Sequence, residues 1–311
     1  MSDLPPTEVL ERGGIDPASV RRLEWRFPIW TCDVDGERLV LASKRGRTDE
    51  SLDWEAALLD GLERGGFPAC RAARIFAGTD YAFVDDVHFS ARTWVPGRML
   101  VEFDAPDLSG VGRFIGEYHD VASTLDLPQR PGIVPLVETL PAPTDEALLA
   151  VLDDPDLVRR YRELVDDVLP HLSFDHAIPV HGDFTTRNIA ADGLASITGL
   201  IDFGMAHSAS PAVELAYALG SARPTFDHVE HRLDHVTDLI RGYRSVRSLE
   251  DADAHRIVDF ARSRPLLGIA IYAINGWVRA GPSRSLERVV WITENADAIV
   301  ATIEDASSTA V

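Results

Sequence analysis

"HGDFTTRNIAADGLASITGLIDFG", residues 181–204, is the stretch on which the reading of this chain turns. Asp183 is followed by four residues and then by Asn188; two strand-like pieces around "ADGLAS" lead on to Asp202, Phe203 and Gly204. Two readings compete. In the plain one, Asp183 caps a turn, Asp202 ends a strand, and the segment is an ordinary loop and hairpin. In the other, three oxygen-bearing side chains are spaced to hold a metal ion and a phosphate.

The flanks of the segment differ in character. Upstream, after a short acidic helix expected near 6–12, the chain is β-rich. "WRFPIWTCDVDGERLVLASKRG" (25–46) reads as two strands around Asp35-Gly36, a strong hairpin signal. In "SLDWEAALLDGLERGG" (51–66), Trp54, Leu58, Leu59 and Leu62 recur at helical spacing, with Gly65-Gly66 as the stop. "AARIFAG" (72–78) and "YAFVDDVHFSARTWV" (81–95) are two further strand candidates, and Pro96-Gly97 breaks the pattern. Downstream, helices dominate: "LSGVGRFIGEYHDVASTL" (108–125) and segments near 145–171, 226–243, 250–277 and 284–304. The expected fold class is therefore α+β and bilobal. A small β-rich lobe (1–94) and a hinge (95–98) precede a larger helical lobe (99–311) that carries one β-hairpin loop. There is no internal repeat, and "DASSTAV" at the end reads as frayed.

Composition narrows the function. The chain has 311 residues, 45% hydrophobic and 26% charged, the mix of a globular protein with a substantial core. No apolar run approaches the roughly 18 to 20 residues needed to span a bilayer, and "MSDLPPTEVLERGG" lacks the basic start and apolar centre of a signal peptide. Cys32 and Cys70 are the only cysteines, so neither a disulfide framework nor a Cys-based zinc site is available, and both are expected to be buried, inert thiols. A cytoplasmic location is the plain reading. The net charge of −20 disfavours nucleic acid and anionic membranes as partners and permits a cationic small molecule. A nucleotide can still bind where magnesium screens its phosphates.

Phosphoryl transfer from ATP asks little covalent chemistry of a protein. It needs magnesium on oxygen ligands, a carboxylate that accepts a hydroxyl proton, and cations on the phosphates. Asp183, Asn188 and Asp202-Phe203-Gly204 match the kinase spacing of a catalytic-loop Asp, a metal-binding Asn and a metal-binding Asp-Phe-Gly.

On these residues the chain resembles the aminoglycoside phosphotransferase and choline-kinase-like superfamily, whose loop reads His-Gly-Asp, four residues, Asn. "ITGLIDFG" (197–204) is similar to the run into the second metal ligand of homoserine-kinase-like and hydroxylysine-kinase-like members. "GRFIGEYHDVAS", "RTWVPGRML", "SASPAVELAYALG" and "IRGYRSV" extend the likeness over nearly the whole chain; Glu214 stands where many members carry Asp, in a structural role. The resemblance implies a protein-kinase-like fold with ATP in the interlobe cleft. It also implies Asp183 as catalytic base, Asn188 and Asp202 as magnesium ligands, and a structural role for His181.

The family expects a strand lysine paired with a helix glutamate. Lys44 and Glu55 are the candidates, although Lys44 falls two residues beyond the usual position, which Ala42 occupies. Ala42 and Lys44 share a strand face, so a small bulge or a long reach restores the pairing. Arg45 and Arg47 are weaker substitutes. Arg187, inside the catalytic loop, is a candidate for the γ-phosphate or the substrate, or else pairs with a carboxylate. Phe89, Ala91 and Trp94 are candidates for an adenine slot, a β-strand core being the other explanation. No Gly-x-Gly-x-x-Gly loop and no Ala-Pro-Glu segment is present, which counts against a protein kinase. Asp227, Glu230, Asp234 and Asp238 form an acidic stripe, read mainly as a solvated face. His228, His231 and His235 have a spacing that a metal could use, with nothing else to support one.

The function expected is transfer of the γ-phosphoryl group of ATP, with magnesium, to a hydroxyl of a cationic small molecule, an aminoglycoside or related amino-sugar antibiotic first. The alternatives are a kinase of an amino alcohol or amino acid such as homoserine, hydroxylysine or choline, and a catalytically silent nucleotide-binding module.

Overall fold

A computed structural model of the protein describes residues 4–23, 28–102, 107–172, 177–193, 196–221, 233–277 and 282–308. The amino-terminal part contains α1 (Thr7–Arg12), β1 (Arg21–Arg22), β2 (Ile29–Val34), β3 (Glu37–Lys44), α2 (Asp49–Arg64), β4 (Tyr81–Val84) and β5 (Val87–Thr93). Its five strands form one antiparallel sheet in the order β1-β2-β3-β5-β4. The β2–β3 hairpin turns at Asp35 and Gly36, both at positive φ, as the Asp-Gly pair requires.

Two strand expectations change. Residues 72–78 form no strand: Ala72 bridges Arg92 of the sheet, and Phe76 bridges Thr79 across a turn in which Ala77 and Gly78 stand at φ 50° and 96°. Residues 81–95 are not one strand but the hairpin β4–β5, folded at Asp85 and Asp86, again at positive φ. The charged pair Asp85-Asp86 inside the run makes the turn, which strand propensity on either side outweighs in the sequence pattern.

α2 starts at Thr48, whose side chain accepts from Ser51 N, and carries Asp49 and Glu50 in its first turn. Trp54, Leu58, Leu59 and Leu62 are buried along one face, each worth about 2 kcal/mol in area removed from water. They join the main core, which continues through the helical part. A separate small core lies on the other face of the sheet, where Trp30, Cys32, Leu39, Leu41, Phe89 and Ala91 meet Val9 and Leu10 of α1.

The carboxy-terminal part holds β6 (Arg98–Met99), α3 (Leu108–Ala122), α4 (Leu136–Thr139), α5 (Asp145–Leu152) and α6 (Pro155–Val168). It continues with β7 (Ile178–Val180), β8 (Ile189–Ala191), β9 (Ile197–Leu200), β10 (His207–Ala209) and α7 (Ala212–Ser221). α8 (Leu233–Arg244), α9 (Asp251–Ile274), α10 (Pro282–Glu294) and α11 (Ala296–Ser308) complete it. The helix expected over 145–171 is broken at Asp153, which is left-handed (φ 56°) ahead of Pro155. The one expected over 284–304 is divided at Asn295. α3 and α8 cross in close contact: a Cβ at Gly112 would lie 1.9 Å from the Leu239 carbonyl oxygen, so only glycine admits the approach. Among the described residues, no helix is long and apolar enough to cross a membrane.

Strands β8 and β9 form a hairpin that β6 joins, and β7 pairs with β10. This brings loop 181–188 and loop 201–206 to the same end of neighbouring strand pairs. The architecture is bilobal and protein-kinase-like, an antiparallel sheet with one helix followed by a helical lobe.

Candidate active site

His181 ties the two loops together. Asp183 N donates to its Nδ1 at 3.2 Å, so Nε2 carries the proton and donates to the Ile201 carbonyl at 2.9 Å. Burial lowers the imidazole below its ordinary pKa, which keeps the ring neutral, as this arrangement needs. The ring packs edge-on against buried Phe203 at 4.7 Å. Ile201 N donates to the Asn188 carbonyl at 2.9 Å, a second tie between the loops. Gly182 stands at φ 75°, and a Cβ there would lie 2.2 Å from the Met205 carbonyl oxygen. Glu214, from α7, accepts from the amides of His181 and Gly182 at 3.1 and 2.9 Å. Burial, the largest influence, pushes its carboxyl up to about 8 against these two donors. The structural roles expected for His181 and Glu214 are what these contacts describe.

Asn188 donates through Nδ2 to the Asp183 carbonyl at 2.8 Å and to Asp183 Oδ2 at 3.0 Å. With Nδ2 committed, Oδ1 of Asn188 is the oxygen left for a cation. Asp202 is left-handed (φ 63°, ψ 66°) and takes one long bond, from Gly204 N at 3.4 Å. A neutral amide oxygen and a carboxylate suit a hard cation such as magnesium, which ordinarily takes one or two protein oxygens and completes its shell with phosphates and water. Asp183, Asn188 and Asp202 are thus on adjoining loops, the first two in direct contact. Arg187 is exposed on the same loop and makes no ion pair among the described residues.

Sequence reasoning missed Arg264. It comes from α9, and its Nη2 donates to Asp183 Oδ1 at 2.7 Å. Its guanidinium lies 4.8 Å from the centre of the Tyr217 ring.

Glu55 is the second centre. It is only 1% exposed, with Arg130 at 2.6 Å, Arg92 at 2.8 Å and Lys44 at 3.7 Å. Burial alone would raise its carboxyl, but Lys44, Arg92 and Arg130 outweigh it and hold Glu55 well below the usual carboxylate range. The β3 register is continuous through Lys44, so the side chain gets to Glu55 by reach and not by a bulge. Its Nζ would stand 3.7 Å from a Cβ placed on Gly204, which brings it to the loop of Asp202. Arg92 and Arg130 were not expected. Arg92 shares the sheet face of Ala42 and Lys44, through the pairs Val40–Arg92, Ala42–Ser90 and Lys44–His88, and also meets buried Asp80. An arginine in step with that face was the available signal. Arg130 gave none.

The same register corrects the adenine-slot expectation. Phe89 and Ala91 lie on the face opposite Lys44, packed in the small core against Leu39 and Leu41. Trp94 is half-buried, with the Arg38 guanidinium 4.8 Å over its ring. Of the two weaker phosphate candidates, Arg47 donates to the Gly204 carbonyl at 2.7 Å and Arg45 is exposed. Cys32 and Cys70 are buried thiols, pushed up by burial to about 11 and about 12. Asp227, His228, Glu230 and His231 lie outside the described residues; among those described, no cluster of three or more His, Cys, Asp or Glu side chains forms a metal site.

Comparison with known proteins agrees with the fold. The model of the phosphotransferase enzyme family (APH) matches residues 20–249. Among solved structures, an amicoumacin kinase in complex with AMP-PNP, Ca2+ and Ami is 18% identical with a TM-score of 0.72, over 95% of this chain and 94% of that one. A microcompartment-associated aminopropanol kinase is 17% identical with a TM-score of 0.66, over 95% and 97%. An aminoglycoside phosphotransferase from Alicyclobacillus acidocaldarius is 16% identical with a TM-score of 0.63, over 98% and 97%. No curated protein matches the chain in sequence. With the family model covering well over half its length, the chain belongs to the phosphotransferase enzyme family, whose ATP-dependent transfer to an alcohol group its kinase-like fold is built to carry out.

Proposed function

We propose that the chain transfers the γ-phosphoryl group of ATP, taken as its magnesium complex, to a hydroxyl of a small amine-bearing molecule. The observation that carries the reading is the pairing of Asp183 with Asn188 on one loop, joined through His181 to the loop of Asp202. Residues 1–94 act as the nucleotide lobe, 95–98 as the hinge and 99–311 as the catalytic lobe. Asn188 and Asp202 hold the magnesium, which when bound neutralises charge on the phosphates. Lys44, oriented by Glu55, steadies the α and β phosphates, and Arg187 reaches the transferring group. Asp183 accepts the proton of the attacking hydroxyl. A cytoplasmic enzyme follows, since ATP is supplied there.

For the acceptor, an aminoglycoside or amino-sugar antibiotic is supported by the net charge of −20 and by the likeness to an aminoglycoside phosphotransferase. A second reading is an amino alcohol or hydroxy amino acid, and within it the hydroxy amino acid is favoured by one specific contact: Arg264 sets a cation on Asp183, where an acceptor with only positive charge meets repulsion. The intact Asp183, Asn188 and Asp202 set speaks against a silent module. Magnesium-dependent ADP release with ATP, measured across aminoglycosides and amino alcohols with Asp183→Ala alongside, tests the reading. Stimulation by one compound, lost in the variant, supports it; failure to bind ATP ends it.

A further inference from the structure

The two carboxylate oxygens of Asp183 keep different company. Oδ2 accepts from Asn188, on the side given above to the metal, at 3.0 Å. Oδ1 accepts from Arg264 Nη2 at 2.7 Å. Arg264 stands on α9 beside Pro265, which withholds an amide from the helix ladder. Its guanidinium lies over Tyr217 of α7, a ring that is buried, while the Arg264 side chain keeps 31% of its exposure. The cation is therefore backed by a fixed aromatic plate and remains reachable from solvent.

An acceptor hydroxyl must come within about 2.6–3.2 Å of its base. Oδ2 is tied to Asn188, so Oδ1 is the oxygen available to it, and Arg264 already holds that oxygen. A hydroxyl that reaches Oδ1 competes there with the guanidinium, and an acceptor that draws Arg264 aside meets the oxygen without that competitor. A protonated amine cannot engage the guanidinium, because the two cations repel. A carboxylate can, because its two oxygens match the guanidinium fork. Arg187 is a second positive side chain, exposed on the loop of Asp183.

Building on the kinase reading above, we propose that Arg264 is a specificity-determining residue that receives an anionic group of the acceptor, a carboxylate, and in turning to it releases Asp183 Oδ1 for the acceptor hydroxyl. The acceptor class is then a hydroxy carboxylic acid, with an amine where it is zwitterionic, in preference to a polyamine sugar. In the transfer itself the acceptor oxygen bonds to the γ-phosphorus as the bond to the β–γ bridging oxygen breaks. The hydroxyl proton passes to Asp183, and ADP leaves.

The test follows ADP release by the full chain with Mg·ATP, for wild type, Arg264→Gln, Arg264→Lys and Asp183→Asn. With water as acceptor, acetate is the probe and sodium chloride at equal ionic strength the control. Acetate raises wild-type hydrolysis several-fold; Arg264→Gln starts from the raised rate and no longer responds, and Arg264→Lys, which keeps the charge but not the fork, responds weakly. With the matched pair L-homoserine and 3-aminopropan-1-ol, which differ by a carboxylate, wild type prefers the former by at least about thirtyfold in kcat/KM, and Arg264→Gln loses that preference through KM. Wild-type hydrolysis indifferent to acetate, or the same acceptor ratio with and without Arg264, overturns the proposal and leaves the kinase reading standing. Where neither compound is an acceptor, or Arg264→Gln fails to fold by circular dichroism, the acetate response of wild type decides alone. Failure of the kinase reading looks different: wild type then releases no more ADP than Asp183→Asn under every condition.

Discussion

Arg130 Nη2 donates to Glu55 Oε2 at 2.6 Å, and neither side chain exposes more than 1% of its surface. The same guanidinium donates through Nη1 to the carbonyls of Phe203 and Ala206 at 2.9 and 3.1 Å, and through Nε to Ser51 Oγ at 3.0 Å. One arginine thus joins α2 of the sheet lobe to the loop that carries Asp202. A charge so far from water persists only because every direction of its fork meets an acceptor.

Arg130→Met removes that fork and strands its acceptors on Ser51, Phe203, Gly204 and Ala206 and part of the Glu55 charge. The expected cost is about 3–5 kcal/mol, the usual result of removing one partner of a buried ion pair. Denaturant unfolding checks it, and Arg130→Lys should recover part of the loss. A cost below about 1 kcal/mol would mean that the cluster relaxes around the gap.

Asp183→Ala should lower kcat by about 10²–10⁴-fold while ATP affinity stays near wild type, since the role proposed for the lost group is on the acceptor hydroxyl. Single-turnover rates and nucleotide titration separate the two effects. Turnover close to wild type would remove Asp183 from the role of base.

Asp202→Asn keeps the shape of its loop and takes away the proposed anionic magnesium ligand. The magnesium concentration for half-maximal activity should rise by about tenfold or more, with the fold unchanged. Lys44→Ala should instead raise KM for ATP at saturating magnesium. A magnesium requirement unaltered in Asp202→Asn would exclude that residue as a ligand.

His119 governs part of the acid stability. It is buried on α3, shares a 3.0 Å hydrogen bond with the Tyr243 hydroxyl, and is pushed down from 6.5 to about 3, by burial first and by Arg247 second. Its folded pKa lies below its unfolded one, so the stability it contributes is present above 6.5 and is lost as pH falls towards 3. The loss amounts to at most about 1.4 kcal/mol for each pH unit over that window. In His119→Phe the slope over the same window should flatten. An unchanged acid limb would show that other groups control it.

The parts of this protein that could be read in advance are those whose information is local. The Asp183, Asn188 and Asp202 spacing, the Asp35-Gly36 hairpin and the apolar face of α2 each follow from a turn, a period of two or a helical period, all properties of a few consecutive residues. Where local signals were ambiguous the reading slipped. The run 81–95 conceals a turn at Asp85-Asp86, and 72–78 has strand-like residues but only isolated bridges, because pairing needs a neighbouring strand and not merely a suitable sequence. Phe89 and Ala91 were assignable to one face of β5 by alternation, yet which face looks toward Lys44 depends on the register with β3.

The sequence by itself determined the order of the elements and the two loops that carry Asp183, Asn188 and Asp202, the residues proposed for phosphoryl transfer. Only the tertiary structure decided which cations surround them. Arg130 lies 75 residues from Glu55, and Arg264 lies 81 residues from Asp183. Nothing near either arginine in the chain specifies its partner. Packing does: burial leaves the Arg130 guanidinium to find an acceptor or stand unpaired away from water, and that acceptor is Glu55, while the packing of α9 brings the partly exposed Arg264 within reach of Asp183.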